Sequence, residues 1–244
     1  MVAITGGASP AAPGDTIPAA SGVVDLTRAP GSPLAPLDPV GPTTPDERIT
    51  DALVACIGRW GLAKTTMADV AREAGVSRAT VYRLFPGGKQ AIIAAGAAQE
   101  VRRLSEELGA ALAPLPDLES RLVVALHLAM TFLVEHEALI HLRDHEPVAF
   151  ERMLSLDQLD LVLSSAGPLL APALRPCLDS DDAASTASTW LARIAVSHLA
   201  APSATTDLTD LDDVRRFVRT YLLPGLAAHA VTPDDTRPGV RSGR

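Results

Sequence analysis

Apolar residues recur at helical spacing along most of the chain from Thr44 onward. The first such series predicts an amphipathic helix, with apolar positions at i, i+4, i+7, i+8 and i+11: Ile49, Leu53, Cys56, Ile57 and Trp60. Thr44-Pro45-Asp46-Glu47 reads as a capping box, with proline at the first helical position. Gly61 favours an end to this helix, because glycine tolerates a left-handed backbone.

Two shorter apolar series follow, separated by a turn. Thr66 and Asp69 form a second capping box, after which Val70, Ala71 and Ala74 share one face. Gly75 permits a sharp turn, Val76 fills the angle between the helices, and Ser77 caps the next helix. The pattern predicts a helix-turn-helix over residues 66–85.

The remaining pattern is also helical. Further helices are predicted at about 89–112, 118–137, 138–145, 147–165, 182–200 and 211–228, each bounded by Pro, Gly or Asp-rich segments. No strand-period segment or internal repeat is evident. We therefore expect an all-α fold.

The two ends of the chain have a different composition. Residues 1–44 are dense in Pro, Gly and Ala and lack apolar periodicity, so we predict a disordered arm. Residues 231–244 form a similar predicted tail. Between them we expect a helix-turn-helix domain at 45–92 and a larger helical domain at 93–230.

Charge is unevenly distributed along the 244 residues, whose net charge is −8. Residues 46–104 carry nine basic and six acidic groups, whereas residues 105–244 carry eleven basic and twenty acidic groups. One basic block within an acidic chain indicates a local nucleic-acid footprint.

Other features limit the classes of protein to consider. The two cysteines, Cys56 and Cys177, lack C-x-x-C spacing and a nearby metal-site histidine, so we expect free thiols in a reducing compartment. No apolar run approaches the ~20 residues that span a bilayer, and the first ten residues do not resemble a secretory signal. These observations predict a cytoplasmic protein without a membrane partner.

The stretch TTMADVAREAGVSRATVYRLF, residues 65–85, followed by Lys89, closely resembles the DNA-binding signature of TetR-family regulators. Lys89 departs from the pattern, since it stands four residues after Phe85 where many members have three. The resemblance implies an N-terminal helix-turn-helix DNA-binding domain plus a C-terminal helical ligand-binding and dimerisation domain. It also implies a homodimer on double-stranded operator DNA, most often a repressor that a small molecule releases, and no cofactor.

The second helix of the motif carries the residue types that read DNA. Arginine can pair with two acceptors of guanine, while alanine or a threonine methyl can pack on thymine. We predict base contacts by Arg78, Ala79, Thr80 and Arg83. Phosphate contacts are predicted for Ser77, Tyr82, Lys89, Thr65 and Thr66. Thr66 and Ser77 are helix caps first, a role that is compatible with a phosphate contact; alternatively, Arg78, Arg83 and Thr80 only form a solvated surface.

The C-terminal helices contain two apolar stripes. One comprises Leu211, Val214, Phe217, Val218, Tyr221 and Leu222, and the other Trp190, Leu191, Ile194, Ala195 and His198. In the resembling family such helices pair with a second subunit; alternatively, both stripes pack internally. His127, Thr131 and His141 are the polar candidates for contacts with a small, largely apolar effector.

Two other classes of protein share some of these features. His141 and His145 stand at i, i+4, a spacing that places two imidazoles on one helical face, as in a metal-dependent enzyme. A third ligand is not evident, so we predict a regulator, with no catalytic residues and no metal. A DNA-binding protein whose second domain only dimerises remains the other alternative, and the choice between repressor and activator stays open.

Overall fold

The computed structural model describes residues 44–154, 163 and 170–231. The predicted arm, except Thr44, and the predicted tail, except Val231, lie outside these residues. Within the described ranges the regular elements are all helical, apart from an isolated antiparallel bridge between Leu178 and Ala230. The predicted all-α fold is therefore confirmed.

The first three helices form the predicted helix-turn-helix and the helix before it. They are α1 (Pro45–Trp60), α2 (Met67–Glu73) and α3 (Arg78–Leu84). Both capping boxes are present: the Thr44 and Thr66 side chains accept from the amides of Glu47 and Asp69, and the carboxylates of Glu47 and Asp69 accept from the amides of Thr44 and Thr66. Gly75 adopts a positive φ of 65° in the turn, which favours glycine there.

The next four helices are α4 (Gly88–Leu112), α5 (Leu118–Glu135), α6 (Glu137–His145) and α7 (Pro147–Met153). The helix predicted at 118–137 ends two residues earlier, because His136 is extended and α6 leaves at 58° to α5. The His136 ring packs on Phe132, 5.4 Å between centroids, and its Nε2 lies 3.5 Å from the Glu100 carboxylate. The predicted segment 147–165 extends beyond the described part of α7.

The C-terminal helices are α8 (Asp181–Ala200), α9 (Leu211–Phe217) and α10 (Leu223–Leu226). A π-helical turn, Val218–Leu222, joins α9 to α10, and a 3-10 turn, Ala227–His229, follows. The helix predicted at 211–228 is therefore present as a continuous helical run from Leu211 to His229, which differs from a regular α-helix in its π-helical and 3-10 turns. Pro224 explains part of the difference, because it has no N–H for a regular helical bond, and the Leu223 amide bonds to the Val218 carbonyl instead.

Two hydrophobic clusters hold these helices together. The C-terminal cluster includes Leu122, Leu126, Leu174 and Val214, which are almost completely buried. The N-terminal cluster contains side chains of α1 to α4 and also Ala138 and Leu142 of α6, Phe150 of α7 and Leu199 of α8. Part of the core beneath the helix-turn-helix is therefore supplied by later helices.

The described helices differ in length and apolar content. No single described helix is both long and apolar enough to cross a bilayer, although α5 and α6 taken together meet the length and composition criterion across their 58° bend.

Both cysteines are free and buried, as predicted, and burial raises the pKa of each thiol.

Candidate nucleic-acid interface

Helix α3 presents a polar face to solvent and an apolar face to the core. Val81 is fully buried and Phe85, just after the helix, is 9% exposed, so this side anchors α3 on α1 and α2. The opposite face is formed by exposed or half-buried side chains: Arg78, Ala79, Thr80, Tyr82 and Arg83. This arrangement leaves the predicted base-reading residues free to approach a major groove.

The hydroxyl groups at the helix starts serve as caps. Ser77 Oγ accepts from the Thr80 amide at 3.0 Å and lies 2.9 Å from the Thr80 hydroxyl. Thr66 Oγ1 donates to Asp69 at 2.5 Å, and the hydrogen bonds from Thr66 lower the pKa of that carboxyl. Thr66 and Ser77 remain exposed, so capping does not prevent a phosphate contact.

The arginines of the N-terminal helices fall into two groups. Arg59 makes a two-pronged ion pair with Glu73, at 3.0 and 2.8 Å, that ties α1 to α2. Arg72 pairs with Asp69 at 2.7 Å. In contrast, Arg78 and Arg83 form no ion pair with any residue in the described part of the chain. Their charges are therefore available for a ligand.

Thr65 and Lys89 are placed differently from the other predicted DNA contacts. Thr65 is 2% exposed, and its hydroxyl donates to the Gly61 carbonyl at 2.7 Å. The Lys89 ammonium donates to the Thr65 carbonyl at 2.7 Å and to the Leu62 carbonyl, and burial lowers the pKa of this lysine. Both side chains hold the loop between α1 and α2. To donate to a phosphate, the Thr65 hydroxyl would have to give up its bond to the Gly61 carbonyl, whereas the Lys89 ammonium keeps a third N–H.

Replacing Lys89 with methionine tests its two possible roles, because methionine keeps the apolar stem and removes the ammonium. We expect the free energy of unfolding to fall by about 1–2 kcal/mol, since two carbonyls lose a charged donor. The slope of log K against log salt for DNA binding should change by roughly one unit per half-site only if the ammonium also contacts a phosphate. Denaturant unfolding and binding titrations at several salt concentrations measure both quantities.

The three predicted effector contacts have different surroundings. Burial lowers the pKa of His127, the negative charges of Asp210 and Asp207 oppose that shift, and its Nδ1 is buried with no hydrogen-bond partner among the described residues. Thr131 is half-buried on α5. His141 lies beside Gly61, at the contact between α6 and the end of α1. His141 therefore lies against the N-terminal helices rather than among the neighbours of His127.

The pair of histidines that suggested a metal site is stacked. The rings of His141 and His145 are 4.6 Å apart between centroids and inclined by 26°. In the ranges that the structure describes, no group of three or more His, Cys, Asp or Glu side chains could hold a metal ion.

The two C-terminal stripes are partly internal and partly exposed. Leu191, Ala195, Val214 and Val218 are buried in the C-terminal cluster. A cavity of about 610 Å³ opens beside them, between α8 and the α9–α10 segment; its aromatic lining consists of Trp190, Phe217 and Tyr221. Trp190 is 59% and Tyr221 is 68% exposed. Two of the six residues in the first stripe and two of the five in the second are buried, so purely internal packing accounts for only part of each stripe.

A comparison with known proteins identifies the helix-turn-helix region. Residues 49–95 match the family described as "Bacterial regulatory proteins, tetR family". An uncharacterised HTH-type transcriptional regulator of Mycobacterium tuberculosis is 49% identical over 39 residues, which cover 16% of this chain and 21% of that protein. The chain therefore matches about a fifth of the length of this curated relative.

Solved structures extend the similarity to the whole fold. The TetR-family repressor AlkX of Dietzia sp. strain DQ12-45-1b, implicated in biodegradation of n-alkanes, superposes with a TM-score of 0.63. The two sequences are 22% identical, and the match covers 78% of this chain and 99% of AlkX. At this identity the similarity concerns the fold.

Proposed function

We propose that this chain is a sequence-specific DNA-binding transcriptional regulator, because residues 49–95 match the family described as "Bacterial regulatory proteins, tetR family". In this proposal, a homodimer binds double-stranded operator DNA and represses transcription until a small, largely apolar effector releases it. The proposal assigns no catalytic residue and no cofactor.

The observation that carries this proposal is the exposed face of α3. Arg78 and Arg83 have no ion-pair partner in the described residues, whereas Arg59 of α1 is paired with Glu73 and Arg72 of α2 with Asp69. Unpaired guanidinium groups on the second helix of a helix-turn-helix suit bidentate contacts to guanine. Ala79, Thr80 and Tyr82 complete the proposed surface, and the exposed caps Thr66 and Ser77 flank it.

Dimerisation is supported by the exposed aromatic side chains beside the 610 Å³ cavity. Large apolar residues that remain exposed on a helical pair suit a partner surface, and a twofold dimer presents the same residues from each copy. Two copies would also place two α3 helices on one duplex, in keeping with a near-palindromic operator. A second copy of the chain is therefore the occupant that we propose for this surface.

The effector class is proposed from the composition of the C-terminal domain. Its buried residues are chiefly Leu, Val and Ala, with Met130 among them, so a ligand enclosed by these helices would meet a mostly apolar surface. His127 and Thr131, both on α5, stay as proposed polar contacts, whereas the position of His141 beside Gly61 links it to the N-terminal helices.

Selection from a random duplex library with the full chain tests the proposal. We expect enrichment of a near-palindromic sequence, protection of two half-sites about one helical turn apart, and affinity that falls steeply with salt. A scrambled duplex of the same composition is the control. Equal binding of selected and scrambled duplexes would contradict sequence-specific regulation.

A further inference from the structure

The end of α1 docks on α6 and on the junction between α6 and α7 through two glycines. A methyl group built at Gly58 would come within 3.2 Å of Glu137 Cβ, so α1 and α6 approach closely there. At Gly61, whose φ is 84°, a methyl group would overlap the Glu146 carboxylate and lie 2.8 Å from His141 Nε2. The absence of side chains at these two positions leaves room for residues from the C-terminal half.

Glu146 fills the space beside Gly61 and binds the following loop. Both of its carboxylate oxygens accept from the Ala63 amide, each at 3.1 Å, across 83 residues of sequence. Glu146 occupies the cap position of α7, yet its side chain makes no capping bond to that helix. Its carboxylate is therefore directed at the loop between α1 and α2.

Lys89 binds the same loop through the loop's carbonyl groups, whereas Glu146 binds it through an amide. Its ammonium donates to the carbonyls of Leu62 and Thr65, while Glu146 accepts from the amide of Ala63 between them. The charge of Glu146 also favours the ammonium form of Lys89. A cation at the start of α4 and an anion at the α6–α7 junction thus fix three successive parts of one loop.

This loop leads directly into the helix-turn-helix. Thr65 is buried and Thr66 is the cap of α2, so a shift of Ala63 is passed on within three residues to the first turn of α2. The α6–α7 segment is itself anchored, because Leu142 and Phe150 are buried in the N-terminal cluster. Glu146 therefore connects an anchored part of the C-terminal half to the loop that sets the position of α2.

We propose that Glu146 is a positioning residue for DNA binding: through the Ala63 amide it holds the α1–α2 loop so that α2 and α3 keep the orientation that the operator requires. The proposal rests on the proposed DNA-binding function, although the contact itself can be tested without DNA. Glu146 has no direct part in the interface, since its partner lies in the loop before α2.

Hydrogen exchange of the full-length chain tests the contact, with Glu146→Ala compared with Glu151→Ala. Glu151 is exposed on α7 and serves as the matched acidic control. Loss of a hydrogen bond to a charged acceptor should speed exchange of the 61–66 segment by about tenfold or more in Glu146→Ala. Glu146→Gln keeps one acceptor oxygen, so its exchange should be intermediate. Exchange of 61–66 at the wild-type rate in Glu146→Ala would overturn the proposal.

Binding to the duplex selected by the wild-type chain tests the positioning role. We expect Glu146→Ala to bind that duplex about tenfold more weakly, with an unchanged salt slope, because no phosphate contact is lost. Glu151→Ala should bind as the wild type does. Faster exchange of the loop with unchanged affinity would overturn the positioning role. If the wild type selected no sequence, the proposed function would fail, and the exchange result would still decide whether Glu146 holds the loop.

Discussion

Replacing Trp190 with aspartate is expected to convert the proposed dimer into a monomer and to abolish most specific DNA binding. Trp190 is 59% exposed and lines the cavity between α8 and the α9–α10 segment. In a twofold interface the substitution occurs twice, so two carboxylates would lose water where an apolar side chain stood before. The cost of burying these charges should exceed what the remaining apolar contacts supply.

DNA binding should then weaken because the two half-sites are no longer bound as one unit. Linking two binding modules raises avidity by roughly 10²–10⁴ over either module alone, so we expect specific affinity to fall about 100-fold or more. Sedimentation velocity gives the oligomeric state, and titration of the selected duplex gives the affinity.

Val148→Asp is the matched control for this substitution. Val148 is 69% exposed on α7 and does not line the cavity, so the same charge there should leave both oligomeric state and affinity unchanged. A Trp190→Asp protein that remained dimeric with wild-type affinity would show that the second copy binds elsewhere.

Replacing Arg78 or Arg83 with alanine is expected to reduce specific binding more than non-specific binding. Each arginine that makes a bidentate base contact should account for about 1–3 kcal/mol per half-site, so a symmetric dimer loses that amount twice. Thermal stability should change little, because both side chains are exposed and form no ion pair within the described part of the chain.

The comparison of selected with scrambled duplex separates base reading from simple charge attraction. Arg152→Ala removes an exposed arginine from α7 and should alter neither affinity by more than a small factor. If Arg78→Ala and Arg83→Ala weakened both duplexes equally, these side chains would be phosphate contacts, and specificity would have to come from other residues of α3.

The sequence alone was sufficient to predict the capped helices of the N-terminal domain. The caps at Thr44, Thr66 and Ser77 depend on amides three residues away, so every partner is already fixed by local spacing. The same holds for the buried face of α3, since helical periodicity determines which side chains share a face. Arg78 and Arg83 lie outside that buried face, so the sequence also predicts that they are exposed.

Contacts between distant segments could not be predicted in this way. The end of α5 at His136 coincides with packing on α4, where Glu100 lies, and the partners of Lys89 are carbonyls 24 and 27 residues earlier. Glu146 could not be identified from the sequence, because an acid next to His145 resembles any exposed carboxylate until the fold brings Ala63 to it.

The apolar stripes of α8 and α9 show the same division. Periodicity predicted that both helices bury an apolar face. The sequence determines that burial, because removing leucine and valine side chains from water is favourable whatever partner they pack against. Periodicity does not determine whether that face packs against the same chain or against a second copy. Only the tertiary structure separates buried Leu191 and Val214 from exposed Trp190 and Tyr221, because exposure depends on which other helices occupy the neighbouring space.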